Sequence, residues 1–301
     1  MPSSRRVVHR VEEGDDRHDI EATTYQMRNP FKQMRDGFFT SLDVFNYLHH
    51  HWIAKQARKD DWVLDVCCGR GIMLPLLRYH ASEIAGYVGV DIEPANAEWL
   101  TRRVTDGKHL DEMPRTGHPG ETYTRDTYYP FPVFFVESNA AEMTEPVREE
   151  LDLTLVPPLF SLIIYTQSIE HMHPQAGWAS LNRCAELAAP GCRLILSGPN
   201  TPEGQDGYDA RYRAHVYEWK RQELLDALQA TGWRVQRQWG LTLSRKHAEQ
   251  LMADSALATV WDVLSRSVPS EWLLPVLAPL FPEACDEIAI QAVREDQLTL
   301  T

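Results

Sequence analysis

Apolar residues set two rhythms along this chain. Between residues 38 and 53, Phe38, Phe39, Leu42, Phe45, Leu48, Trp52 and Ile53 recur mostly at spacings of three and four, the signature of an amphipathic helix with one buried face. From residue 63 onward, short apolar runs alternate with helical patterns. The runs predict strands at 63–67, 86–91, 132–136, 160–166, 192–197, 233–242 and 287–293, and the patterns between them predict helices at 72–80, 94–104, 140–150, 175–189 and 217–230. Alternation of this kind predicts an α/β fold, a parallel sheet covered by helices on both faces.

Two segments break the scheme. Residues 106–131, rich in Gly, Pro, Thr and Tyr, make the connection from the second helix to the third strand longer than most loops. Residues 246–285 carry Leu251, Leu257, Val260, Trp261, Val263 and Leu264, then Trp272, Leu273, Leu274, Val276, Leu277, Leu280 and Phe281, which predicts a helical insertion between strands six and seven. It reads as a cap, as a homodimer face, or as an embellishment packed for stability. Residues 1–20 are strongly polar around Glu12, Glu13, Asp15 and Asp16 and are expected to be loosely attached. The expected organisation is a polar tail and helical cap over residues 1–58, then one domain over residues 59–301 interrupted at 106–131 and 246–285.

Composition narrows the partners. With 301 residues and 43% hydrophobic content, the chain can bury one large core. A formal net charge of −13 without any Lys/Arg run argues against a tight binder of the nucleic-acid backbone, because such affinity rests on clustered cations. Five cysteines without a C-x-x-C spacing suggest no disulfide framework and a reduced compartment, with Cys67 and Cys68 as free thiols. No apolar leader core follows Met1, and no run approaches the roughly 18 apolar residues of a membrane span. A soluble, cytoplasmic protein with no membrane partner is expected.

The strongest chemical signal is Val63-Leu-Asp-Val-Cys-Cys-Gly-Arg-Gly71, a strand that runs straight into a Gly-x-Gly turn and a helix. Glycines at 69 and 71 let the backbone approach a ligand that a Cβ would obstruct. Tyr87-Val-Gly-Val-Asp91-Ile92 is a second strand ending in an acid, which can accept hydrogen bonds from both hydroxyls of a ribose. Leu74 stands where a dinucleotide fingerprint has its third glycine, so a pyrophosphate is not the expected guest.

Asp65-x-Cys67-Cys-Gly69-x-Gly71 together with Asp91 resembles the first two motifs of class I S-adenosylmethionine (SAM) dependent methyltransferases. The resemblance implies a Rossmann-like, seven-stranded, mostly parallel sheet with its last strand inserted antiparallel. It implies SAM as cofactor, held by Asp65, Cys67, Gly69, Gly71, Asp91 and Ile92, with Cys68 packed nearby. In Phe135-Val-Glu-Ser-Asn139-Ala140, Asn139 stands where the family has an acid that binds the adenine amino group. Its amide oxygen can accept the same bond, and Asn is equally a favoured cap for the helix that follows. After the fourth strand, Gln167-Ser-Ile-Glu170-His171 would border the methionine part of SAM and the methyl acceptor, with Gln167 on the cofactor side.

Glu170-His171, with His215-Val-Tyr-Glu218-Trp219 after the fifth strand, resembles the small-RNA 3′-terminal 2′-O-methyltransferases, whose Glu-x-x-Glu-His and one distant His hold a metal. Glu170, His171 and His215 match, and Gln167 replaces the first glutamate. Similar segments occur in small-molecule methyltransferases of the ubiquinone-biosynthesis type. Since one anionic ligand is missing, we expect no metal and assign Glu170, His171 and His215 to orienting the acceptor or taking its proton. His49, His50 and His51 point about 100° apart on a helix, cannot meet at one ion, and read as partly exposed. Tyr123, Tyr128, Tyr129 and Phe131 either line an aromatic acceptor pocket or anchor the long loop.

The expected function is SAM-dependent transfer of a methyl group to a small-molecule acceptor, because the acidic charge disfavours nucleic acid and the insertions can enclose a compact ligand. The alternatives are metal-assisted RNA 2′-O-methylation and a catalytically degenerate SAM-binding scaffold subunit.

Overall fold

The seven predicted apolar runs pair into one sheet, whose inner parallel strands are buried on both faces, as parallel strands under helices must be. The structure is a computed structural model that describes residues 6–8, 41–96, 129–150, 160–211, 214–253 and 258–295. Its strands are β1 (Arg6–Val8), β2 (Trp62–Val66), β3 (Gly86–Asp91), β4 (Val133–Glu137), β5 (Phe160–Thr166), β6 (Ala188–Pro199), β7 (Trp233–Thr242) and β8 (Glu287–Arg294). They lie in the order β1-β4-β3-β2-β5-β6-β8-β7, and β8 runs antiparallel between β6 and β7. The seven-stranded arrangement with an inverted last strand is the expected one. The addition is β1, which pairs parallel with β4 from Arg6↔Phe135 to Val8↔Glu137. It falls in the segment expected to be loosely attached, and a three-residue strand is too short to carry a periodic signal.

The helices are α1 (Ser41–Ala54), α2 (Met73–His80), α3 (Thr144–Glu150), α4 (Pro174–Leu187), α5 (Arg221–Ala230), α6 (Arg245–Ala253), α7 (Ala258–Ser267) and α8 (Ser270–Leu277). Strand alternation sorts the core into two layers. Leu64, Val66, Val88, Val90, Ile163 and Tyr165 meet α3, α4 and α5 on one face, whereas Val63, Tyr87, Ile164 and Ile195 meet Ile53 of α1 and Leu77 of α2 on the other. The predicted helix at 94–104 is described only at its start, and most of the 106–131 insertion, with Tyr123 and Tyr128, lies outside the described residues. Phe131 is buried in the second layer with Tyr129 against it, so these two rings anchor the chain to the core.

The histidine run corrects an expectation. His49 and His50 are buried, not partly exposed, and His51 is half-buried with Nδ1 2.8 Å from Nε2 of His80. The reason lies in the 246–285 insertion, whose helix α8 packs on α1, and in β7, whose Trp239 ring sits 6.0 Å from that of His49. Burial holds His49 well below the usual imidazole range and lowers His50 to about 4, so both are neutral near pH 7. The insertion itself forms α6, α7 and α8, burying Leu273 and Leu274 while Val260, Val263, Val276 and Leu280 face outward. Among the described residues, no helix is long and apolar enough to cross a membrane.

Candidate active site

The elbow after β2 is built by left-handed backbone. Cys67, Gly69 and Gly71 have φ of 55°, 51° and 68°, the region that costs a side chain and suits glycine. A Cβ on Gly69 would meet nothing within 4 Å, so the turn opens away from the core. Its amide donates to Asp91 Oδ2 at 2.7 Å, while Asp91 Oδ1 accepts from the Glu93 amide at 2.9 Å and the Asn96 side chain at 3.1 Å. Burial pushes the Asp91 carboxyl up, and these hydrogen bonds oppose the push.

Register carries the site along the carboxyl edge. Ile92 follows Asp91 half-buried, and the Ser138 amide donates to the Asp91 carbonyl at 3.0 Å, which places the Asn139 segment beside it. Asn139 Oδ1 accepts from the Ala141 amide at 2.9 Å over a buried Ala140, which closes a local turn; the helix expected to be capped by Asn139 begins only at Thr144. Asp65 lies deeper. It is buried within β2 and accepts the Tyr87 hydroxyl at 2.6 Å, and burial raises its pKa to about 7 against the pull of that bond. Cys67 and Cys68 are free thiols.

The end of β5 continues the same edge. Gln167 is a non-glycine residue at φ 50°, its amide bonded to the Ser197 carbonyl at 2.9 Å. A single 3₁₀ turn, Ile169–His171, then sets Glu170 and His171 side by side. The Glu170 carbonyl accepts the amides of Val216 and Tyr217 at 2.8 and 3.1 Å, and this docking brings the distant His215 to the site. The two imidazole centroids are 5.0 Å apart, nearly perpendicular. His171 Nδ1 lies 3.0 Å from the Ala214 carbonyl, and His215 Nδ1 lies 2.8 Å from Glu218 Oε1. Burial would raise Glu218, but its bonds from His215 and Arg211 prevail and hold it at about 2.

Glu170, His171 and His215 each offer a ligand atom, and these atoms all lie within 4.8 Å of one another. Donors around one ion at about 2.1 Å stand about 3–4.2 Å apart, so a small contraction would close the set. Glu170 is only 1% exposed, and its Oε2 has no hydrogen-bond partner. A Cβ on Gly198 would stand 3.2 Å from that oxygen, so a glycine here leaves the carboxylate its room. Burial raises Glu170 well above the usual range, and the charges of Glu287 and Glu218 add to it.

Arg211 and Glu287 at this site were not singled out from sequence, and Glu218 entered only as part of the His215 segment. Glu218 and Arg211 orient His215, with Arg211 donating to Glu218 through its backbone amide and Nε at 2.9 Å each. Glu287 accepts the Gln167 side-chain amide at 3.3 Å and is pushed up to about 8 by burial. The one signal for Glu287 is an acid at the head of an apolar strand, and it gains meaning only when that strand is known to enter the sheet inverted.

A family model described as a methyltransferase domain matches residues 43–238. No curated protein matches the chain significantly. Among solved structures, the cyclase SpnF is similar at 15% identity and TM-score 0.50, over 82% of this chain and 81% of that one. Magnesium protoporphyrin IX methyltransferase of Synechocystis PCC 6803, crystallised with SAM, is similar at 16% identity and TM-score 0.46, over 88% and 83%. A SAM-dependent methyltransferase of Archaeoglobus fulgidus is similar at 17% identity and TM-score 0.48, over 88% and 98%. Likeness at such identities speaks of fold rather than of reaction, as the presence of a cyclase illustrates. The family match spans more than half of the chain and contains the elbow, Asp91 and the Glu170-His171 turn, and the chain therefore belongs to the methyltransferase-domain family of SAM-dependent, class I enzymes.

Proposed function

We propose that this enzyme methylates a hydroxyl of a small-molecule acceptor, with SAM on the 65–71 elbow, Asp91 and Asn139, and a divalent cation between Glu170, His171 and His215. The observation that carries the cation is the convergence of three donor atoms from two separate segments. It outweighs the missing anion at Gln167, on which the sequence expectation of no metal rested. A buried carboxylate without a partner is costly unless it is protonated, paired or bound to a metal. Both imidazoles are fixed through Nδ1 by a carbonyl or a carboxylate, the way metal-binding histidines are usually oriented. Two imidazoles and a carboxylate suit several divalent ions, zinc and manganese among them.

When bound, such an ion positions an acceptor hydroxyl and lowers its pKa. The protein's own part is orientation and exclusion of water, since methyl transfer is an in-line displacement from a sulfonium. Asp91 already accepts three hydrogen bonds, which leaves room for one more donor of about four, or for two where the Asn96 amide gives way to ribose. The net charge of −13 supports a small acceptor over RNA. A second reading, methylation of an RNA 3′-terminal 2′-hydroxyl, is favoured by the match of Glu170, His171 and His215 to that family's metal ligands.

The deciding experiment is metal analysis of the purified protein together with turnover on a panel of catechols and polyols and on short RNAs, before and after chelation. We expect turnover on hydroxylated small molecules, lost on chelation and restored by Mn²⁺. Turnover confined to RNA 3′ ends would replace the acceptor, and turnover indifferent to chelator would overturn the cation.

A further inference from the structure

We propose that Glu287 supplies the second negative charge of the cation site, the one that Gln167 cannot carry; this rests on the cation reading above. Because β8 enters the sheet inverted, its first residue reaches the carboxyl edge, where Glu287 is in register with Pro199 of β6 and Thr242 of β7. There it is only 4% exposed, and it accepts the Gln167 amide at 3.3 Å. Gln167 holds a left-handed conformation, φ 50°, that is unfavourable for a residue with a Cβ and persists only where its surroundings fix it. What fixes it here is the amide bond to Ser197 on one side and the Glu287 carboxylate on the other.

Charge completes the argument. Glu170 and Glu287 are both buried at this edge, and the charge of Glu287 adds to the burial that raises the Glu170 carboxyl. Arg211, the nearby guanidinium, is engaged with Glu218 and with Asp286. Among the described residues no ion pair reaches Glu170 or Glu287, and one divalent ion balances the two carboxylates. The neutral Gln167 then acts as the clamp that aims Glu287, and the anion missing from its sequence position is provided from a strand about 120 residues later.

The test is Mn²⁺ titration by calorimetry on the metal-stripped full chain. Glu287→Gln keeps the shape and removes the charge, and we expect Mn²⁺ affinity to fall at least about tenfold, the loss typical when a supporting group of a metal site is removed. Adding Gln167→Glu in the same chain should recover most of it. Glu287→Gln affinity within twofold of wild type, or no recovery in the double variant, would overturn the proposal. Should Glu287→Gln fail to fold by circular dichroism, Gln167→Leu removes the clamp and keeps the charge. A several-fold loss in that variant supports the proposal, and no change overturns it. Absence of Mn²⁺ binding to the wild type would sink the cation reading itself, which separates that failure from this one.

Discussion

At the amino-terminal edge of the sheet, Arg193 of β6 reaches Asp61 just before β2, and both side chains are 8% exposed. Asp61 also accepts the Arg58 amide at 2.6 Å and the Ser161 hydroxyl at 2.8 Å, while Arg193 donates to the Gln56 carbonyl as well. At the carboxyl edge, Glu170 and Glu287 are buried as deeply, yet neither has an ion-pair partner among the described residues and Glu170 Oε2 has no hydrogen bond. One sheet thus buries charge twice, once closed and once open. A closed pair serves the fold, because every donor and acceptor finds its match. Open carboxylates cost stability, and they are kept where a ligand is to complete them.

The largest effect expected from this contrast is at the closed end. Arg193→Met should destabilise the protein by about 3–5 kcal/mol, since it strands a buried carboxylate. Urea denaturation checks it, and Mn²⁺ affinity should be untouched because the change lies at the opposite edge. A loss below about 1 kcal/mol would mean that water reaches Asp61 and that the two edges differ less than their burial suggests.

The open end should respond to an ion instead. Mn²⁺ at a hundred times its dissociation constant should stabilise the wild type by about 2.7 kcal/mol, as a ligand specific to the folded state must. Glu170→Gln should abolish that gain and leave the metal-free protein as stable as wild type or more so, because the amide keeps the shape and spares the folded chain a buried carboxyl that must hold its proton against an ionised unfolded state. Denaturation with and without Mn²⁺ measures both. A Glu170→Gln variant that loses stability without metal would show that the carboxylate is already satisfied, and the contrast between the edges would disappear.

How far the sequence reaches follows the same division. The strand-helix alternation, the elbow and Asp91 were legible because each is local: apolar periodicity sets the strands, and Gly69 and Gly71 mark a turn that backbone sterics require. Glu170 and His171 were legible as neighbours, and His215 through a family pattern. Glu287 and the burial of His49 and His50 were not, because both depend on contacts across the sheet. An inverted strand turns its first residue into an edge residue, and an insertion folded onto α1 turns a polar helix face inward. The strand Arg6–Val8 escaped because its partner in β4, not its own pattern, makes it a strand.

Asp65 lies between the two cases and sharpens the comparison. It is buried like Glu170 but accepts one strong bond, from the Tyr87 hydroxyl. Burial raises its pKa from 3.8 to about 7, with the Tyr87 bond opposing and the charge of Asp91 adding to the rise. Between those two values the unfolded chain has released the proton and the folded chain still holds it. The contribution of Asp65 to stability is therefore complete below the unfolded value and is lost as pH rises to about 7. Asp65→Asn cannot titrate, so the stability of wild type minus that of the variant should fall by about 2 kcal/mol between pH 5 and pH 7. His49 and His50, whose lowered values act with the opposite sign, are common to both proteins and cancel in the difference. Urea denaturation of both proteins at the two pH values measures it. A flat difference would mean that one phenolic hydroxyl is enough to keep Asp65 ionised, and would move it from the open class of buried carboxylates to the closed one.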